Sequence, residues 1–198
     1  MPSVKKNISY NIGYQILSLL VPLITAPYVA RVLGSDGLGL YGYSFSISHY
    51  FVLFCMLGVL NYGNREISMV NNDTTERSRR FWNIYVNQLF LGVLSLVAYY
   101  VFLILFVSDN VLIYSLQSLF IVSGILDISW FYFGIEKFKT TTSISAINKI
   151  ITTLLIFLLV RTHSDLWLYT TIIAVGTILI NVVYWVILNK YCRFTLPD

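Results

Sequence analysis

The sequence predicts an all-α, polytopic membrane protein: one bundle of six transmembrane helices that fills residues 1–198 as a single transmembrane domain. Three observations predict it. Composition is the first: 57% of the residues are hydrophobic and 11% charged, where soluble domains carry about 25% charged residues. Spacing is the second. Apolar runs long enough for a bilayer core of about 30 Å, at about 1.5 Å per helical residue, recur along the chain. The third is the placement of the 13 basic residues. Lys5, Lys6, Arg65, Arg77, Arg79, Arg80, Lys137, Lys139, Lys149, Lys190 and Arg193 fall on one side of a six-span arrangement, and only Arg31 and Arg161 on the other. Basic loops stay in the cytoplasm, so both termini are expected inside, in a multi-pass topology.

Composition also excludes several classes. The net charge of +4 does not mark a nucleic-acid partner, because the bases are scattered between apolar spans. Cys55 and Cys192 give no disulfide framework, and Cys192 is expected in a reducing compartment. There is no HExxH, no His/Cys cluster and no carboxylate pair, so no metal site or cofactor is expected.

The spans are predicted at about 11–32, 40–62, 84–107, 111–133, 144–160 and 167–188. The first follows Lys5 and Lys6 as a signal peptide would, but it is too long and lacks a small-residue cleavage site, so a retained helix is expected. Pro22 and Pro27 bend it by removing two backbone donors. Arg31 ends it, and a Gly-rich turn is expected from Gly34 to Gly39. The second span carries Tyr41, Ser44 and Ser48 on one face, which reads as helix-to-helix glue. His49 lies near mid-membrane, where it is either a packing residue or a group that titrates near neutral pH. Gly63 to Trp82 is read as a loop with a solvated basic face near anionic headgroups. The third span opens with Asn83, Asn87 and Gln88.

The fourth span holds one acid, Asp127, flanked by Ser123 and Ser129. An ionisable group inside a bilayer costs at least about 2.5 kcal/mol on insertion scales and so faces a protein interior or a hydrated cavity. Two readings stand: a structural acid bonded to a neighbouring helix, or a site linked to protons or substrate. The fifth span sets Thr141, Ser145, Asn148, Lys149 and Thr152 on one side. Lys149 is expected either to snorkel or to wall a cavity. The polar sides together predict a bundle around a hydrated cavity, with Asp127 and Lys149 near its cytoplasmic end.

Three stretches carry a resemblance. They are Pro27-Tyr28-Val29-Ala30-Arg31-Val32-Leu33-Gly34 with Gly37-Leu38-Gly39-Leu40-Tyr41-Gly42, then Leu57-Gly58 through Tyr62-Gly63-Asn64-Arg65-Glu66-Ile67, then Asp127-Ile128-Ser129-Trp130-Phe131 through Gly134-Ile135-Glu136-Lys137-Phe138. In these the chain resembles the polysaccharide-transporter branch of the multidrug/oligosaccharidyl-lipid/polysaccharide exporter superfamily, the flippases for O-antigen and related repeat units. The resemblance implies one lobe of a MATE-like flippase, with the second lobe absent from this sequence. It implies that undecaprenyl-diphosphate-linked oligosaccharide crosses a bacterial inner membrane through a basic cavity by alternating access. By position, Arg31, Arg65 and Lys149 are the candidate substrate-binding residues, and Asp127 and His49 the candidates for ion coupling. Implied partners are the lipid-linked substrate, membrane lipid, a second six-helix half or a homodimer mate, and the polymerase and glycosyltransferases of the pathway. The alternatives are an inactive or split amino-terminal fragment and a cation-coupled drug exporter of the same superfamily. A membrane enzyme would need clustered acids for a metal, which nine scattered Asp and Glu do not supply.

Overall fold

Gly34 sets the shape of the first third of the chain. In the computed structural model, which describes residues 4–193 and side chains from residue 18 on, helix α1 runs from Val4 to Met56, and only Gly34 leaves helical geometry, at φ 71° and ψ 178°. That left-handed φ suits glycine, and space requires it too: a Cβ there would lie 2.9 Å from Cε1 of His163. The expected turn over 34–39 is therefore a one-residue break. Ser35 to Gly39 are helical, because one residue at a positive φ redirects the axis without unwinding its neighbours.

Helix α1 ends at Met56 and Gly58 takes a left-handed turn, so the second predicted span stops short of Tyr62. The stretch 63–82 is mostly helix, not loop. It holds most of α2 (Val59–Met69) and the start of α3 (Thr74–Phe106). Asp73 starts α3 as its N-cap, Oδ1 accepting from the amides of Thr75 at 2.9 Å and Glu76 at 3.1 Å. At 33 residues α3 is about 50 Å long, so it outruns the bilayer core and carries its polar first turns beyond it.

The fourth predicted span is two helices, α4 (Val111–Leu126) and α5 (Ser129–Gly134), parted at Asp127 and Ile128. Helix α6 (Phe138–Leu159) starts six residues before the expected 144. A 3-10 turn at His163–Asp165 leads into α7 (Leu166–Leu188), which matches its prediction to one residue. Among the described residues there is no strand. Among the described residues, five helical stretches are long and apolar enough to cross a membrane, against six predicted; the difference is 18–69, counted as one stretch of 52 residues although Gly34 bends it.

Helix α4 is the central pole, packed on α1, α3 and α7. The serine stripe of α1 is the glue expected. Ser44 and Ser48 are buried, and the Gln117 amide of α4 donates to Ser44 Oγ at 3.1 Å. Helices α2 and α5 meet at reciprocal glycines. A Cβ on Gly63 would lie 2.7 Å from Cδ2 of Trp130, and one on Gly134 2.6 Å from Cβ of Ile67. Two stretches that carry the resemblance are thus one packing unit, with Trp130, Phe131, Phe81 and Ile67 at its core.

Candidate functional site

A break inside an apolar span leaves backbone carbonyls without helical partners. In a membrane these must be satisfied by protein. Side chains from α3 and α7 do this. Gln88 Nε2 donates to the carbonyls of Gly124 at 2.8 Å, Asp127 at 2.8 Å and Ile125 at 3.3 Å. Its Oε1 accepts from Trp130 Nε1 at 3.0 Å, so one fully buried amide joins both sides of the break. Asn181 Nδ2 donates to the Ser123 carbonyl at 2.8 Å and Ser123 Oγ at 3.0 Å, and Trp185 Nε1 to the Leu126 carbonyl at 2.9 Å.

Beside the break lies a cavity of about 560 Å³ between α4, α5, α6 and α7. Its walls carry Asp127, Asn181, Tyr184, the hydroxyls of Ser123, Ser129, Thr141, Thr142, Ser145 and Thr177, and the apolar Phe133, Phe138 and Ile180. Asp127 is half-buried, and Ser129 holds its carboxylate: the Ser129 amide donates to Oδ1 at 2.8 Å and its hydroxyl also reaches the group. Sequence reasoning found Asp127, Ser123, Ser129, Thr141 and Ser145. It missed Thr142, Thr177 and Asn181; the α7 polar residues sit singly in an apolar run and show no stripe.

The predicted basic residues do not gather here. Arg31, Arg65 and Lys149 are absent from the cavity walls. Arg31 is exposed just before the Gly34 break. Arg65 is 69% exposed on α2 and lies 3.8 Å from Glu66, which a second arginine, Arg80, meets at 2.7 Å. His49 is exposed on α1, its ring 4.8 Å from that of Phe45. It too lies away from the cavity.

Lys149 has a specific partner, and it is not Asp127. Pro22 lacks an N–H, so the carbonyl four residues earlier, that of Ser18, loses its helical donor. Lys149 Nζ donates to this carbonyl at 3.3 Å, which ties α6 to the bend in α1. Tyr28 adds a second tie, donating from its hydroxyl to the Val160 carbonyl at 2.7 Å. Lys149→Met is expected to cost about 1.5 kcal/mol of stability in detergent unfolding, the lower end for a charge-assisted hydrogen bond. Pro22→Ala restores the missing donor, so in that background the same change is expected to cost under about 0.5 kcal/mol. Equal losses in both backgrounds would mean that the lysine does not serve this carbonyl.

Among the described residues, no group of His, Cys, Asp and Glu is arranged to hold a metal ion. The model of the family described as "Polysaccharide biosynthesis protein" matches residues 4–197. The chain is 26% identical over 167 residues to a protein of Escherichia coli (strain K12) named "Putative O-antigen transporter", a match covering 83% of this chain and 40% of that protein. The chain therefore spans less than half the length of that relative. No solved structure matches it. These findings agree with the kinship read from the three sequence stretches, and the five apolar helices make the chain a multi-pass membrane protein. It belongs to the polysaccharide biosynthesis protein family.

Proposed function

We propose that the chain is one six-pass, MATE-like lobe of a flippase that carries undecaprenyl-diphosphate-linked oligosaccharide across the bacterial inner membrane. The observation that carries this reading is the polar cavity at a capped helix break, inside an apolar bundle of this family. The part of α1 from residue 18 to Met56 would be about 58 Å long if straight, nearly twice a bilayer core, so the bend at Gly34 supports two passes there. With two passes, the excess of basic residues on one side supports cytoplasmic termini. A charged diphosphate cannot cross hydrocarbon unaided. A polar route open to one side at a time replaces its lost hydration while the polyprenyl tail stays in lipid. Rocking of this lobe against a second bundle would alternate the access. The second bundle is a further part of the protein, a separate half or another copy. In this scheme Arg65 and Arg31 attract the diphosphate near opposite ends of the lobe, Lys149 holds the bend, and Asp127, with His49 as a second candidate, couples the cycle to an ion.

The test is complementation of a bacterial strain whose polysaccharide flippase is deleted. Expression of the chain, alone or with a second six-helix half, restores surface polysaccharide. A membrane-inserted chain that restores none in either arrangement overturns the proposal. In the complemented system Asp127→Asn is expected to flatten the pH dependence of transport, and an unchanged profile would remove Asp127 from coupling.

One observation favours a second reading. The cavity has an acid and aromatic rings but no base, as an organic-cation exporter of the same superfamily would have. Ethidium efflux by the complemented strain, lost in Asp127→Asn, would favour it.

A further inference from the structure

The cavity's hydrogen-bonding inventory is lopsided. Thr141 donates its hydroxyl back to the Phe138 carbonyl at 2.9 Å, and Thr177 donates its own to the Ala174 carbonyl at 2.7 Å. Each then offers only lone pairs to the cavity. Both polar hydrogens of Asn181 are committed to α4, as its Nδ2 serves the carbonyl and hydroxyl of Ser123, which leaves the amide oxygen. Asp127 is an acceptor when ionised. Ser123, Thr142 and Ser145 add hydroxyls that can donate as well as accept, so the walls offer more acceptors than donors, and they carry no Lys or Arg. A phosphate or diphosphate brings negative charge to a wall that holds a carboxylate and no cation, so it is the wrong guest.

We infer that this cavity is a saccharide subsite, which takes a neutral sugar ring of the transported molecule while the diphosphate is handled elsewhere. A pyranose brings several O–H donors on a rigid ring, and a carboxylate accepts from such a donor with a short, charge-assisted bond. Its C–H face needs an apolar wall, which Phe133 and Phe138 supply with ring centroids 6.0 Å apart. The volume of about 560 Å³ falls within the range of about 300–1,000 Å³ typical of small-molecule sites. A bare metal ion also wants acceptors, but it needs six or more oxygens within about 2.6 Å, and this space is far larger than such a cage. The inference rests on the proposed flippase reading.

The test uses the whole chain in lipid nanodiscs and the methyl glycosides of glucose, galactose and N-acetylglucosamine, read by saturation-transfer NMR. At least one is expected to bind saturably, with a dissociation constant on the order of 1–10 mM. Ser145→Leu, which fills the cavity from α6 and breaks none of the hydrogen bonds at the helix break, is expected to weaken binding at least about tenfold. A fully O-methylated glucoside keeps the ring and loses every donor; it is expected not to bind, since sites built for a hydroxyl reject analogues without it. That comparison needs no variant to fold. Sodium pyrophosphate is expected not to compete. Saturable binding of no glycoside, equal binding of the O-methylated probe, or competition by pyrophosphate would each overturn the inference. A response to sodium chloride or tetraphenylphosphonium with none to the sugars would do the same. If complementation succeeds while the glycosides fail, the subsite is wrong and the flippase reading stands.

Discussion

Gln88→Leu is expected to lower the unfolding free energy by about 3 kcal/mol, measured by thermal or denaturant unfolding in detergent micelles. The leucine fills much the same space, so packing changes little. What is lost is the amide that serves the Gly124, Ile125 and Asp127 carbonyls and receives the Trp130 indole. Each buried polar group left unsatisfied costs about 1–3 kcal/mol. Single hydrogen bonds between membrane helices average only about 0.6 kcal/mol, because the separated helices find other partners. Here four contacts converge on one fully buried group beside a break where the Gly124 carbonyl keeps one backbone donor, the Asp127 amide at 3.3 Å, so the cooperative loss lies near the upper range. A loss under about 1 kcal/mol would show that water caps the break. Gln88→Glu sharpens the test. Its carboxylate faces three carbonyl oxygens and keeps a donor only when protonated. Gln88→Glu is therefore expected to destabilise at least as much as Gln88→Leu, since it sets acceptors against acceptors.

That break explains what the sequence conceals. The apolar length of α4, the acid within it and the serine stripe of α1 are legible because each is local. The break at Asp127 and Ile128 is not, as neither residue is proline or glycine. The side chains that satisfy it, Gln88, Asn181 and Trp185, lie between 36 and 59 residues away in the chain from the carbonyls they serve. Lys149 shows the reverse. Its polar face was readable, but its partner is a carbonyl that exists only because Pro22 lacks a donor. The basic residues that the resemblance implies for substrate, Arg31 and Arg65, lie away from this cavity, because charges near span ends need not point toward the break in α4. The polar face of α6 was half right: Thr141 and Ser145 line the cavity, while Asn148 and Lys149 turn elsewhere.

Arg77 is the clearest case of a charge misread from composition, and its replacement carries the second large expected effect. In the sequence it belongs to a basic run that looks solvated. In the structure it is buried at 9% exposure, with Nη1 donating to the Asn71 carbonyl and Nη2 to the Tyr191 carbonyl, both at 2.7 Å. It thereby pins the segment after α7 onto the start of α3. Two neighbours help: Ser78 Oγ accepts from the Arg193 amide at 3.1 Å, and Trp82 Nε1 donates to the Arg193 carbonyl at 3.0 Å. Arg77→Ala is expected to cost about 2–3 kcal/mol, two charge-assisted bonds partly offset by water reaching the carbonyls. Arg77→Lys keeps the charge but reaches only one carbonyl, so about half that loss is expected. Cys192 reports the local consequence. Burial pushes its thiol above the ordinary range, against the pull of the Ser78 hydroxyl and the Arg77 guanidinium. If Arg77→Ala frees the segment, water lowers the Cys192 pKa toward its usual value, and thiol labelling at pH 8 is expected to rise at least about tenfold. If the segment stays docked, the pull of the cation alone is lost, the pKa climbs further, and labelling slows. Cys55, fully buried in α1, stays unlabelled in either case. The two outcomes have opposite signs, so a slower rate would refute the clamp outright.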